Sequence, residues 1–156
     1  MQHVRVMTGG AMTTREFLTQ YKKLSYTVEN LEREIEELEA RVTSIRSTIG
    51  DGMPRGSAAK DQTEILIAAL VDKKRDKAKK LRKAEKIRLD IENVIEMIQD
   101  PIYQRLLKDW YIRGMRWWEI TTDLHMTSDD YVRGKLRWKA EQAAEEALKA
   151  YRRKCT

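Results

Sequence analysis

The sequence predicts an all-α protein, in which a long antiparallel helical hairpin (a coiled coil) is followed by a C-terminal helix-turn-helix domain. Three patterns predict this fold: an unbroken heptad repeat, two runs of opposite charge on either side of a glycine-containing loop, and two short apolar periodic segments near the C-terminus. The 156 residues include only seven glycines and two prolines. That is too little turn material for a sheet of many strands, so sandwiches and barrels are excluded.

The first helix is expected to begin at Thr13, after a flexible tail over residues 1–12. Thr13 and Glu16 have the spacing of a capping box, in which each residue satisfies a free backbone N–H group of the other. From residue 17 to residue 49, apolar or aromatic residues then recur at alternating spacings of four and three, which is typical of a coiled-coil seam. The central seam residues are Leu24, Val28, Leu31, Ile35, Leu38, Val42 and Ile45.

Residues 50–60 are predicted to form a loop, and Asp61 with Glu64 forms a second capping box that starts a helix ending near Gln99. Residues 29–39 contain six glutamates and one arginine, whereas residues 72–83 contain eight basic and two acidic residues. Folding the chain back at the loop places these opposite charges side by side, which predicts a hairpin over residues 13–99.

Two alternatives stay open for this region. The basic run at 72–83 could contact a nucleic acid instead of the glutamates. The seam could also close between two chains instead of within one.

The C-terminal domain is predicted to span residues 100–156. Asp100 is a favourable N-cap, and Pro101 fits the first helical position because that position needs no N–H group. This third helix is expected to stop near Gly114.

The stretch from Trp117 to Ala143 has the layout of a helix-turn-helix. The first helix is expected to turn Trp118, Ile120 and Leu124 inward, and His125 and Met126 form the turn. Either Thr127 or Ser128 caps the second helix, and Thr127 would form a capping box with Asp130. The second helix is expected to turn a set of residues at spacing four inward, namely Val132, Leu136 and Ala140.

In proteins with this layout the second helix enters the major groove of DNA. Arg133 and Arg137 are the expected base contacts, since arginine can bind guanine through two hydrogen bonds. Asp129 and Asp130 are interpreted as capping charges, with a cytosine contact as the alternative. The tryptophans are interpreted as core and rim residues, with base stacking as the alternative. The other expected DNA contacts are Arg116, Ser128, Tyr131, Lys135 and Lys139.

No catalytic, metal or cofactor site is predicted. Cys155 is the single cysteine, and His3 and His125 are the two histidines, so the sequence has no zinc-ligand spacing. It has neither a glycine-rich phosphate loop nor a nucleophile elbow. The longest apolar run, residues 65–71, is far shorter than a membrane span, and no signal-peptide pattern opens the chain. We therefore expect a cytoplasmic protein.

Two segments resemble known families. WWEITTDLHMTSDDYVRGKLRWKAEQAAEEAL is similar to the helix-turn-helix of sigma factor region four. GMPRGS after a long heptad helix, followed by QRLLKDWYIRGMRWWEI, resembles phage late transcriptional regulators of the ArpU/RinA type. Thr121 departs from the alanine usual at its position, and its hydroxyl needs a hydrogen-bond partner.

The resemblance implies a phage or prophage protein that activates late genes in the bacterial host cell. We therefore expect a sequence-specific DNA-binding transcriptional regulator whose partners are double-stranded DNA, a second copy of the chain in a dimer and, as a further candidate, RNA polymerase. A recognition protein of phage DNA packaging, similar to a terminase small subunit, is one alternative. A coiled-coil protein-interaction module is the other.

Overall fold

The structure is a computed structural model that describes residues 12–49 and 57–156, and every regular element in these two ranges is helical. The helices are α1 (Thr14–Ile49), α2 (Ser57–Glu96), α3 (Pro101–Leu107), α4 (Trp117–Asp123), α5 (Asp129–Tyr131) and α6 (Arg137–Lys154). A π-helical turn, Lys108–Ile112, extends α3, and a second one, Val132–Leu136, joins α5 to α6. Residues 129–154 therefore form one continuous helix, called the C-terminal helix below. The predicted all-α fold is confirmed.

The predicted start of α1 is confirmed. The Thr13 N–H donates to Glu16 Oε2 at 2.9 Å, and the Glu16 N–H donates to Thr13 Oγ1 at 3.2 Å. The predicted start of α2 is wrong, because the helix begins at Ser57 and already includes Asp61. Residues 58–60, Ala-Ala-Lys, are strong helix formers, so the helix extends back through them. The predicted tail up to residue 11 and loop residues 50–56 lie outside the described residues.

The two long helices pack together as the predicted hairpin. Val28, Leu31, Ile35 and Val42 are buried, and Leu24, Leu38 and Ile45 are half-buried. The seam predicted from the heptad pattern therefore packs within one chain. No helix in the described ranges is long and apolar enough to cross a membrane.

Ion pairs between the helices follow the predicted pattern of opposite charges. Lys73 pairs with Glu34, Lys74 Nζ lies 2.8 Å from Glu39 Oε1, and Lys77 Nζ lies 3.2 Å from Glu32 Oε1. All six side chains are substantially exposed, so each pair adds little to the free energy of unfolding. Their main contribution is to favour one register and orientation of the two helices.

The chain divides into two compact units. The hairpin unit is Leu24–Glu85, and the C-terminal unit is Lys86–Thr156 together with the described residues up to Lys23. The boundary predicted from sequence lay between residues 99 and 100, whereas the C-terminal unit also takes in the start of α1 and the end of α2. Apolar side chains explain the difference, since those segments contribute fully buried residues to the core of the unit: Leu18, Ile91, Val94 and Ile95 join Leu106, Leu107, Ile120, Val132, Ala140 and Ala144.

A buried carboxylate, Glu141 on α6, ties the elements of the C-terminal unit together. Arg15 Nη2 on α1 donates to its Oε2 at 2.8 Å. Tyr111 Oη donates to its Oε1 at 2.6 Å, and Arg137 Nε donates to the same oxygen at 2.9 Å. One side chain therefore links the start of α1, the first π-helical turn and the C-terminal helix.

The surroundings of Glu141 keep it ionised. Burial opposes the charge, but the hydrogen bonds from Arg15, Tyr111 and Arg137 outweigh burial and hold the pKa of Glu141 below its ordinary value of 4.5. Burial and the hydrogen bond to Glu141 raise the pKa of Tyr111 to about 12, so its hydroxyl remains a donor at neutral pH.

An aromatic stack lies beside this network. The Trp110 and Trp117 rings stack with centroids 4.2 Å apart. Lys22 Nζ on α1 lies 3.6 Å from the Trp110 centroid, and Arg137 Cζ lies 5.5 Å and 5.3 Å from the Trp110 and Trp117 centroids. These cation–π contacts join α1 to the Trp110 ring and the C-terminal helix to both rings of the stack.

We predict that Leu31→Asp lowers the free energy of unfolding by about 2–4 kcal/mol, because it places a charge in the buried seam. Ala40→Asp is the matched control, since Ala40 is exposed on the same helix. Urea denaturation followed by circular dichroism measures both. If Leu31→Asp unfolds at the same urea concentration as Ala40→Asp, the seam is not buried.

We also predict that Glu141→Gln lowers the free energy of unfolding by about 2–3 kcal/mol at neutral pH, because it leaves Arg15 and Arg137 without their carboxylate. A carboxyl group with a lowered pKa stabilises the fold above its ordinary pKa, and this stabilisation is lost as the pH falls. The difference between the two proteins should therefore shrink below pH 4.5.

Glu146→Gln is the control, since Glu146 is exposed on the same helix. Its effect should stay within about 0.5 kcal/mol at every pH. Equal losses in the two variants would show that Glu141 has no special role.

Candidate nucleic-acid interface

The turn between α4 and α5 is formed by the residues predicted for it. His125 has a φ of 56°, a left-handed conformation that histidine adopts more readily than most residues. The Met126 N–H donates to the Thr121 carbonyl oxygen at 2.9 Å, which closes the turn after α4. The chain therefore leaves α4 and enters α5 within a few residues.

Ser128 is the residue that caps the C-terminal helix. Its Oγ accepts a hydrogen bond from the Tyr131 N–H at 3.2 Å, and its backbone is extended, as at a typical N-cap. Of the two caps left open by the sequence, Ser128 is therefore the one used, and the box expected between Thr127 and Asp130 does not start the helix.

The inward face of the motif is mostly the predicted one. Ile120, Val132 and Ala140 are completely buried, and Leu136 is nearly so. The prediction for Trp118 is wrong, since this side chain is 56% exposed, and Thr121 occupies the buried position instead. The Thr121 hydroxyl finds its partner inside the helix, where it donates to the Trp117 carbonyl oxygen at 2.8 Å.

The outward face of the C-terminal helix carries exposed side chains that make few or weak contacts with the rest of the protein. Arg133, Gly134 and Lys135 are exposed, and Trp138 is 60% exposed. Arg133 Nη2 lies 3.1 Å from Asp130 Oδ1, but both side chains are largely in solvent. Such an exposed pair is weak, so a stronger acceptor can displace Asp130 from Arg133.

Gly134 has no internal reason to be glycine. A Cβ atom built on it meets no atom within 4 Å, and its φ is not positive. Glycine within a helix costs about 0.5–1 kcal/mol relative to alanine. A position that bears this cost without an internal contact is suited to close approach of a partner.

Arg137 differs from the other predicted DNA contacts because its side chain is already bound within the protein. Its side chain is only 22% exposed, it donates to Glu141, and it lies over the Trp110 and Trp117 rings. Contact with a base would require this arrangement to open. We therefore interpret Arg137 as a residue that orients the C-terminal helix, and its base contact stays a prediction.

The remaining predicted contacts lie around the same motif. Arg116 is exposed just before α4, where its N–H donates to Glu119 Oε2 at 2.7 Å. Tyr131 is 40% exposed on α5 and Lys139 is half-buried on α6. The Ser128 hydroxyl already accepts the capping hydrogen bond.

Sequence reasoning missed two carboxylates in the C-terminal unit, Glu141 and Asp109. Asp109 is 1% exposed and pairs with Arg113, yet its Oδ2 has no hydrogen-bond partner among the described protein atoms. Burial, together with the nearby Asp123 carboxylate, raises the pKa of Asp109. In the sequence, the only sign of either ion pair is a basic residue four positions from the carboxylate. Many exposed pairs have the same spacing, so it does not indicate burial.

The groove beside Asp109 is a poorer candidate for a nucleic-acid site than the C-terminal helix. Each of its cations is paired: Arg105 Nε lies 2.8 Å from Asp123 Oδ2, Lys108 Nζ lies 3.7 Å from Glu96 Oε1, and Arg113 binds Asp109. The groove therefore lacks the uncompensated positive charge that attracts phosphate. Within residues 12–49 and 57–156, no cluster of His, Cys, Asp and Glu side chains could hold a metal ion.

Comparison with known proteins gives a family match. No curated protein and no solved structure matches the chain significantly. A family model matches residues 41–146, which include the end of α1, all of α2 and the whole helix-turn-helix motif. Because this match covers more than half of the 156 residues, the chain belongs to the family described as Protein of unknown function (DUF1492).

Proposed function

We propose that this protein is a sequence-specific DNA-binding transcriptional regulator that places its C-terminal helix in the major groove. The observation that carries the proposal is the division of that helix into two faces. Val132, Leu136 and Ala140 anchor one face in the core, whereas Arg133 and Lys135 extend into solvent on either side of that face. This is the arrangement that a groove-binding helix needs.

The chemistry of the outward side chains fits DNA. Arg133 is near the front of the helix, where a guanidinium group can donate two hydrogen bonds to guanine O6 and N7. Lys135, Lys139 and Arg116 are suited to phosphate contacts, which hold the helix in place without reading sequence. Ser128 and Tyr131 are supporting candidates at the front of the helix.

The two aspartates at the start of the C-terminal helix do not prevent DNA binding. Asp129 and Asp130 stabilise the first helical turn through its partial positive charge. Asp130 also holds Arg133 in the free protein through an exposed pair. On binding, guanine would replace Asp130 as the acceptor for Arg133.

The resemblance to phage late regulators extends the proposal. It supports activation of late genes in a bacterial host cell, by a dimer that also contacts RNA polymerase.

We predict that Arg133→Ala weakens binding to the preferred DNA site by about 1–3 kcal/mol and relaxes the preference at one base pair. Lys139→Ala should instead weaken binding to all sequences alike and reduce the salt dependence by about one unit of slope. Fluorescence anisotropy at several salt concentrations measures both effects.

Lys149→Ala is the control for these variants. It removes an exposed lysine from the same helix, where it pairs with Glu145 and Glu146, and it should leave specific binding unchanged. If Arg133→Ala has no larger effect than Lys149→Ala, the C-terminal helix does not read the bases.

We predict opposite effects of Gly134→Ala on folding and on binding. The added methyl group should raise the free energy of unfolding by about 0.5–1 kcal/mol, since it meets nothing in the protein. The same group should weaken DNA binding by about tenfold, or 1.4 kcal/mol, by preventing close approach of the helix backbone. Thermal melting and anisotropy test the two halves, and a stabilised variant with unchanged affinity would contradict the close approach.

A further inference from the structure

We propose that the hairpin unit carries a second phosphate-binding surface, formed by Arg75, Lys79 and Arg82 on α2. This surface, called the basic row below, would hold the backbone of duplex DNA without reading its sequence. The inference rests on the proposed function for the choice of DNA as the polyanion. The surface itself is defined by charges in a different unit from the helix-turn-helix motif.

The basic residues at 73–83 on α2 fall into two groups, those that form ion pairs and those that do not. Lys73, Lys74 and Lys77 pair with glutamates of α1, and Lys80 Nζ lies 2.8 Å from Asp76 Oδ1. Within the described parts of the chain, the members of the basic row form no ion pair, and neither does their neighbour Lys83. The basic run therefore does more than complement the acidic stretch of α1.

The unpaired cations form a line along the helix. The basic-row residues are all exposed, and their spacings of four and three place them on one side of α2. The distance from the first to the last is about 10 Å at 1.5 Å per residue. Lys83 stands beside the end of the row.

A line of this kind matches the phosphates of a nucleic acid. Each strand of B-DNA has one phosphate per about 3.4 Å of axis, so the row spans about three phosphates of one strand. Acidic residues near the row do not neutralise it. Asp72 and Glu85, each three residues beyond an end of the row, form no ion pair with it among the described residues, and Asp76 is held by Lys80.

The paired lysines provide a matched control for the basic row. One variant combines Arg75→Gln, Lys79→Gln and Arg82→Gln, and the other combines Lys73→Gln, Lys74→Gln and Lys77→Gln. Both variants change the same helix and lower the net charge by the same amount. They differ in whether the cations that they remove are free or already neutralised by α1.

The experiment measures the affinity of the full chain for a random-sequence duplex, several helical turns long, over a series of salt concentrations. Each phosphate contact contributes about 0.9 to the slope of log affinity against log salt. The basic-row variant should therefore lose about 2–3 units of slope, and the control variant less than about 1. Circular dichroism melting confirms that both variants fold.

The outcomes separate this inference from the proposed function. Equal losses of slope in the two variants would show an effect of net charge alone and would overturn the basic row. A basic-row variant that binds DNA normally but changes its oligomeric state in light scattering would assign the row to a second copy of the chain and overturn the DNA contact.

If the basic-row variant loses slope while Arg133→Ala retains full binding, the row stands and the helix-turn-helix proposal fails. If Arg133→Ala loses specific binding and the basic-row variant loses nothing, the proposed function stands and the row fails. A wild-type chain that binds no duplex at all contradicts both.

Discussion

The hydrogen bonds to the buried Glu141 carboxylate are the interactions on which the C-terminal unit depends most. They join segments that are distant in the sequence, since Arg15 is 126 residues and Tyr111 is 30 residues away. They also hold Arg137 over the tryptophan stack, which fixes the rotation of the C-terminal helix. With that rotation fixed, Arg133 and Lys135 face solvent. The exposure of the proposed DNA surface therefore depends on a charge buried two turns further along the same helix.

The net charge of +6 does not show which cations are available to a partner. Arg133 and Arg137 are one helical turn apart, yet the first is 60% exposed and the second is held by Glu141. The same division occurs on α2, where Lys77 pairs with Glu32 and Lys79 has no partner within the described residues. A basic run can therefore stabilise a fold and still leave cations free for a polyanion.

Local signals predicted the fold well, because caps, heptads and turns depend on residues close together in the sequence. The capping box at Thr13 and the turn at His125 are confirmed for this reason. The predictions failed where one sequence pattern is compatible with two structures. Asp61 fits a cap, but the helix formers before it extend α2 back to Ser57. Glu141 could not be identified as buried, because only the tertiary fold brings Arg15 and Tyr111 to it.

The proposed function requires that the C-terminal helix reads a DNA sequence. Selection of bound duplexes from a random pool by the full chain is the sharpest test of this property, because that measurement assumes no target. We expect an enriched site, with two half-sites related by two-fold symmetry if the protein binds as a dimer. A pool that stays random after repeated rounds, while the protein remains folded, would show that the protein does not read a sequence.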